Sequence, residues 1–174
     1  QFLQPGVANT VADVLQQTGL PSKRLELEIT EGTLIGDTQN ALRILTSLKA
    51  LGAKIAMDDF GTGYSSLSYL RKFPFDKIKI DRSFIGDVEA DSEAGTIVQA
   101  IIAMSRSLRL DVTAEGVETK QQLSMLRTLG CNFVQGYLLG RPSSVPQIAL
   151  QARTQRWHIT DSAASRLATV LAAR

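Results

Sequence analysis

The chain has 174 residues, 44% hydrophobic and 21% charged, the balance of an ordinary globular domain with a core of its own. A formal net charge of +2 is too small to argue for a nucleic-acid or membrane-surface partner, and no apolar run approaches the ~20 residues that cross a bilayer. One cysteine, Cys131, excludes an internal disulfide and a cysteine metal cluster, and one histidine, His158, leaves a Ser-His-Asp or Cys-His mechanism without support.

Val7–Thr18 spaces Val7, Val11, Val14 and Leu15 as a helix does, and Gly19-Leu20-Pro21 stops it. Leu25–Thr30 (LELEIT) alternates apolar and polar residues and reads as a strand, with Glu26 and Glu28 on one side and Glu31 just past the end. Asp37 caps a helix that runs to about Leu51 and closes at Gly52. From Ala53 a short apolar run ends in the adjacent carboxylates Asp58 and Asp59, followed at once by Phe60 and a glycine- and hydroxyl-rich loop to Ser66. Two like charges so close repel unless a cation or strong donors compensate.

Leu67–Phe73 reads as a short helix that Pro74 ends. Asp76–Asp81 (DKIKID) is the next strand, with Lys77, Lys79 and Asp81 on one side. A long helix over Glu93–Leu108 leads to a strand over Asp111–Glu115. Thr119 caps a helix to about Leu129, and Cys131–Gln135 is the last strand, continued by GYLLGRP. A helix from about Ser144 to Trp157 and an alanine-rich amphipathic tail follow, so residues 149–174 read as a helical extension of a domain over 1–148.

Strict alternation of helix and strand implies an α/β fold with a parallel sheet, whose ligands bind beyond the C-terminal strand ends. There the chain keeps Glu28, Asp58, Asp59, Lys79, Asp81, Glu115, Glu118 and Gln135. Each has an ordinary explanation alone, as a surface residue, a local ion pair or a helix cap. Together they ask five strands to end by chance in carboxylate, amide or lysine. All-oxygen donors suit the hard ions Mg2+ or Mn2+, and a pair of them serves phosphoryl or enol chemistry. The DFG triplet does not make the chain a kinase, since no glycine-rich loop or HRD-type loop accompanies it.

LELEITE, MDDFGTGYSSLSYLRKFPFDKIKIDRSFI, AEGVET and FVQGYLLGRP resemble the EAL domain, from Gln1 to about Ile148. The resemblance implies a TIM-barrel-like (β/α)8 fold, here about five of eight strands, and hydrolysis of cyclic di-GMP to linear pGpG with two Mg2+ or Mn2+ ions, Ca2+ being inhibitory. It implies Glu28, Asp58, Asp59 and Glu115 as metal ligands. Asp59 also holds the nucleophilic water, Lys79 positions it, Gln135 contacts it, and Glu118 assists beside the substrate. Asp81 and Pro142 are expected at the substrate, Pro142 at the guanine rim. Glu31 supports the loop of Phe60, Gly61, Thr62 and Gly63. That loop and the helix after it, with Tyr64, Leu67, Tyr69 and Leu70 as apolar face, imply a homodimer.

The glutamate-alanine-leucine motif that names the family, and its asparagine-bearing strand, are not in this sequence. Both supply metal ligands, so the 174-residue chain is expected to be nearly inactive by itself. Gln1 points to a start cut from a longer chain, with pairing to another copy as the alternative, since a five-stranded sheet leaves two raw edges. A catalytically silent cyclic di-GMP-binding, regulatory or dimerisation module is the alternative function. An upstream sensor or GGDEF domain is compatible with either. A cytoplasmic location is expected, as a free protein or as part of a membrane-anchored sensor.

Overall fold

The computed structural model describes residues 4, 6–35, 37–61, 67–86, 88 and 92–147. Five strands, β1 (Glu26–Thr30), β2 (Lys54–Phe60), β3 (Lys77–Ile80), β4 (Asp111–Ala114) and β5 (Phe133–Val134), form one sheet in the order β1-β2-β3-β4-β5. Every neighbouring pair is parallel. An order that never reverses has no switch point. With right-handed crossovers it puts all the helices on one face, which is the wall of a (β/α) barrel rather than a doubly wound sheet.

The helices are α1 (Val7–Thr18), α2 (Glu31–Ile35), α3 (Thr38–Ala50), α4 (Leu67–Lys72), α5 (Arg82–Ile85), α6 (Glu93–Ser107) and α7 (Lys120–Leu129). Their ends carry the expected chemistry. Asp37 accepts from the Asn40 amide, and Thr119 with Gln122 forms a reciprocal capping box. Gly19 and Gly130 close α1 and α7 with left-handed backbones. The short α2 and α5 were not anticipated. α2 follows β1 without a break and α5 follows β3 after Asp81 alone, and four or five residues are too few for a hydrophobic period to show.

Alternation along the strands divides the side chains cleanly. Ile29, Ile55, Met57, Ile78, Ile80, Val112, Ala114 and Val134 join Leu34, Leu45, Leu48, Val98, Ile102 and Leu126 in the core under the helices. The other face carries Glu26, Glu28, Lys77, Lys79 and Thr113. Lys77 and Lys79 are each only 5% exposed. Lys77 Nζ lies 2.7 Å from Glu26 and 4.6 Å from the centre of the Phe133 ring. A buried ammonium on a strand needs such partners.

Of the apolar set expected on and near α4, Leu70 is buried in the core and Tyr69 packs against it, while Leu67 is 58% exposed. Leu70 therefore cannot belong to an outer contact face. Tyr64, Thr62, Gly63, His158 and the C-terminal extension lie outside the described residues. No helix among the described residues is long and apolar enough to cross a membrane.

Candidate metal centre

Carboxylates from three strands converge on one ammonium group carried by a fourth, β3. Lys79 Nζ lies 2.7 Å from Glu28 Oε2 on β1, 2.9 Å from Asp58 Oδ1 on β2 and 2.6 Å from Glu115 Oε1 just past β4. Burial works against the lysine's charge. Its contacts with the carboxylates of Glu115, Glu28 and Asp58 outweigh that and hold its pKa above the ordinary lysine value.

Asp58 and Asp59 reach the same place by a break in the strand register. Met57 pairs with Ile78 and Phe60 with Ile80, so two residues of β2 stand opposite the single Lys79 of β3. Regular alternation would send Asp58 and Asp59 to opposite faces. The extra residue is absorbed at Asp59, whose φ of 54° lies in the left-handed region. Asp tolerates that region better than most side chains, at a cost of roughly 1 kcal/mol or more. The bulge brings one carboxylate oxygen each from Asp58, Asp59 and Glu115 within 4.8 Å of one another.

This trio is charged in a way its neighbours do not fully answer. Burial, and then Asp58 and Asp81, push the Asp59 pKa above the usual carboxylate range. Burial also raises Glu115, against the pull of Lys79. Asp58 Oδ1 is buried with no aligned hydrogen-bond donor, so its contact with Lys79 is electrostatic. Three carboxylate oxygens this close, with no nitrogen or sulfur donor among them, fit a hard divalent cation.

The other expected residues surround the trio unequally. Ala114 pairs with Val134, so Glu115 and Gln135 come next along the ladder, and the Gln135 amide donates to Ala114 O at 2.8 Å. Gln135 O accepts from the Val117 amide, which ties it to the loop after β4. Glu118 is exposed on that loop, and Pro142 is exposed on the loop after β5, both at the C-terminal end of the sheet. Glu31 is buried at the start of α2, one residue after Thr30, whose register partner is Asp58. Phe60 is buried, and Gly61 has a φ of 102° that places it against the Phe84 ring. Asp81 does not pair with Lys79. Its carboxylate accepts from the Ser83 amide and hydroxyl, caps α5, and is held below the usual carboxylate pKa chiefly by that hydroxyl.

Residues 1–142 match the model of the EAL domain family. The chain belongs to the EAL domain family. It is 47% identical over 148 residues to the bifunctional diguanylate cyclase/cyclic di-GMP phosphodiesterase MucR of Pseudomonas aeruginosa, covering 85% of this chain and 22% of that protein. The solved structure of the PaMucR phosphodiesterase in complex with c-di-GMP superposes with a TM-score of 0.79 at 46% identity, over 84% of this chain and 60% of that one. The manganese/cy-diGMP complex of Klebsiella pneumoniae BlrP1 superposes with a TM-score of 0.75 at 34% identity, over 80% of this chain and 36% of that one. The chain spans only about a fifth of the length of curated relatives such as MucR.

The EAL assignment agrees with the expected family and fold. Reading the sequence missed the bulge, the Lys77–Glu26 pair and Gln122. Gln122 was visible as the third residue after Thr119, the spacing of a capping box.

Proposed function

We propose that the chain is part of a phosphodiesterase domain that opens cyclic di-GMP to linear pGpG. The observation that carries the reading is the group of Asp58, Asp59 and Glu115 oxygens within 4.8 Å, beside Lys79. The names of MucR and of the solved c-di-GMP complexes support the substrate class. Glu28, Asp58, Asp59 and Glu115 would hold the metal. Two Mg2+ or Mn2+ ions bound there supply an activated water and stabilise the leaving oxygen. Asp59 would hold the attacking water, Lys79 would position it by its charge, and Gln135 would contact the same water through its side-chain amide. Glu118, Asp81 and Pro142 border the substrate, and Glu31 steadies the loop of Phe60–Gly63.

Ca2+ occupies the site without supporting turnover. The isolated 174-residue chain turns over slowly, because the ligands that the family draws from its glutamate-alanine-leucine motif are not among its residues. The homodimer forms through the loop after Asp59 and through α4, where Leu67 is exposed. A cyclase or sensor domain accompanies the chain, in line with the bifunctional name of MucR, and the location is cytoplasmic. The test is product analysis by chromatography after incubating cyclic di-GMP and Mn2+ with the chain joined to an upstream EAL-motif segment, with and without Lys79→Met. Formation of pGpG that the substitution abolishes supports the reading. Calorimetric binding of cyclic di-GMP in Ca2+, with no product on exchange to Mn2+, supports a silent receptor instead.

A further inference from the structure

α5 is the wedge between the two loops that deliver the acidic trio. On one side its Phe84 ring fills the space where a side chain at Gly61 would stand, two residues past Asp59. On the other, Arg82 Cβ fills the same space at Gly116, one residue past Glu115. Both glycines have positive φ, 102° and 70°, so each loop turns tightly onto α5. The strand entering α5 is joined to the same loop by the bond from the Glu115 amide to Ile80 O at 3.1 Å. Where α5 sits therefore decides where Asp59 and Glu115 sit.

A helix of four residues is held by its surroundings: Asp81 caps its start, Ile85 is buried, α6 packs against it, and Gln122 bonds its end. Gln122 is 9% exposed and all its hydrogen-bonding capacity is used. Oε1 accepts from the Glu118 amide at 2.8 Å and the Thr119 amide at 3.0 Å. Nε2 donates to Ile85 O at 3.0 Å and Gly86 O at 3.4 Å, at the end of α5. Capping α7 needs only the oxygen, and glutamate serves that purpose as well as glutamine. The nitrogen is surplus to the cap and is spent entirely on α5.

We propose that Gln122 is a positioning residue for the acidic centre, its carboxamide clamping the end of α5 to the loop after β4 so that the Asp58, Asp59 and Glu115 oxygens stay in register. This rests on the metal reading above and adds a residue that touches neither metal nor substrate. Gln122→Glu separates the clamp from the cap, because it keeps the acceptor and sets a carboxylate against two carbonyl oxygens. Gln122→Ala removes both.

The experiment titrates Mn2+ calorimetrically into the chain, Gln122→Glu, Gln122→Ala and Asp58→Asn, and follows amide hydrogen exchange in parallel. Gln122→Glu should weaken Mn2+ binding about tenfold, the scale typical of lost outer partners of a metal site. Exchange should quicken at the Gly86 and Glu115 amides, bonded to Arg82 O and Ile80 O, and stay slow at Leu123 within α7. Mn2+ affinity unchanged in Gln122→Glu, or faster exchange confined to α7, overturns the clamp. If the unsubstituted chain and Asp58→Asn alike give no Mn2+ heat, the metal reading fails instead, and exchange at Gly86 and Glu115 alone decides the clamp.

Discussion

Lys79 and Glu115 meet at 2.6 Å across neighbouring strands, with Lys79 almost wholly enclosed. The ammonium is the cation that answers these carboxylates, and it holds Glu28 and Asp58 at the same time. Lys79→Met leaves that cluster unanswered. Losing one partner of a buried ion pair typically costs about 3–5 kcal/mol, and Glu28, 41% exposed, moderates this toward the lower figure. Thermal unfolding without divalent ions should show the loss. Added Mn2+ should recover more stability in Lys79→Met than in the unsubstituted chain.

Asp59 holds a left-handed backbone for the sake of its carboxylate. Asp59→Gly removes the strain and the carboxylate together, and Asp59→Ala removes the carboxylate and keeps the strain. Urea unfolding should find Asp59→Gly the more stable of the two by about 1 kcal/mol. Both should lose Mn2+ affinity, and equal stabilities would contradict the bulge geometry.

The carboxyls of Asp59 and Glu115 are held above their ordinary pKa values. A raised folded pKa stabilises the protonated form, so these two groups add stability below their unfolded values near 4 and lose it as pH rises through the folded values. Asp81, held low, works the other way and loses its contribution as pH falls. Mn2+ must therefore displace protons from Asp59 and Glu115 in mildly acidic solution. Calorimetry in buffers of different ionisation heat should show proton release that fades toward neutral pH.

Gly136 lies where the loop after β5 crosses the loop after β4. A Cβ there would overlap the backbone N and O of Val117, which cannot move without dragging Glu115 and Gln135. Gly136→Ala should cost about 2–3 kcal/mol in urea unfolding and weaken Mn2+ binding as well. A stable variant with unchanged affinity would show that these loops are not rigidly coupled.

Cys131 is buried, its thiol directed at Val112 O and Phe133 O, and burial pushes its pKa to about 11. It should resist thiol reagents at pH 8 in the folded chain and react only on unfolding. Rapid labelling under native conditions would argue against the packing around β5.

The strands were legible because alternation in LELEIT and DKIKID is strict. Observed boundaries moved inward by a residue or two, to Glu26–Thr30 and Lys77–Ile80, since pairing ends before the pattern does. Asp58, Glu115 and Lys79 were legible as polar strand ends. The convergence of Asp58 with Asp59 was not, because a bulge breaks the rule by which strands are read. The turn of the Asp81 carboxylate was hidden for a related reason. Its place continues the strand pattern, but its carboxylate turns to Ser83 because an unforeseen helix begins there. Gln122 escaped notice because a cap residue announces one hydrogen bond and conceals the other.

The most direct test is anomalous diffraction at the manganese edge from crystals of the chain grown with Mn2+. A peak within coordination distance of Asp58, Asp59 and Glu115 oxygens is the predicted result. A well-ordered site with Lys79 still bridging the three strands and no peak beside it would contradict the account.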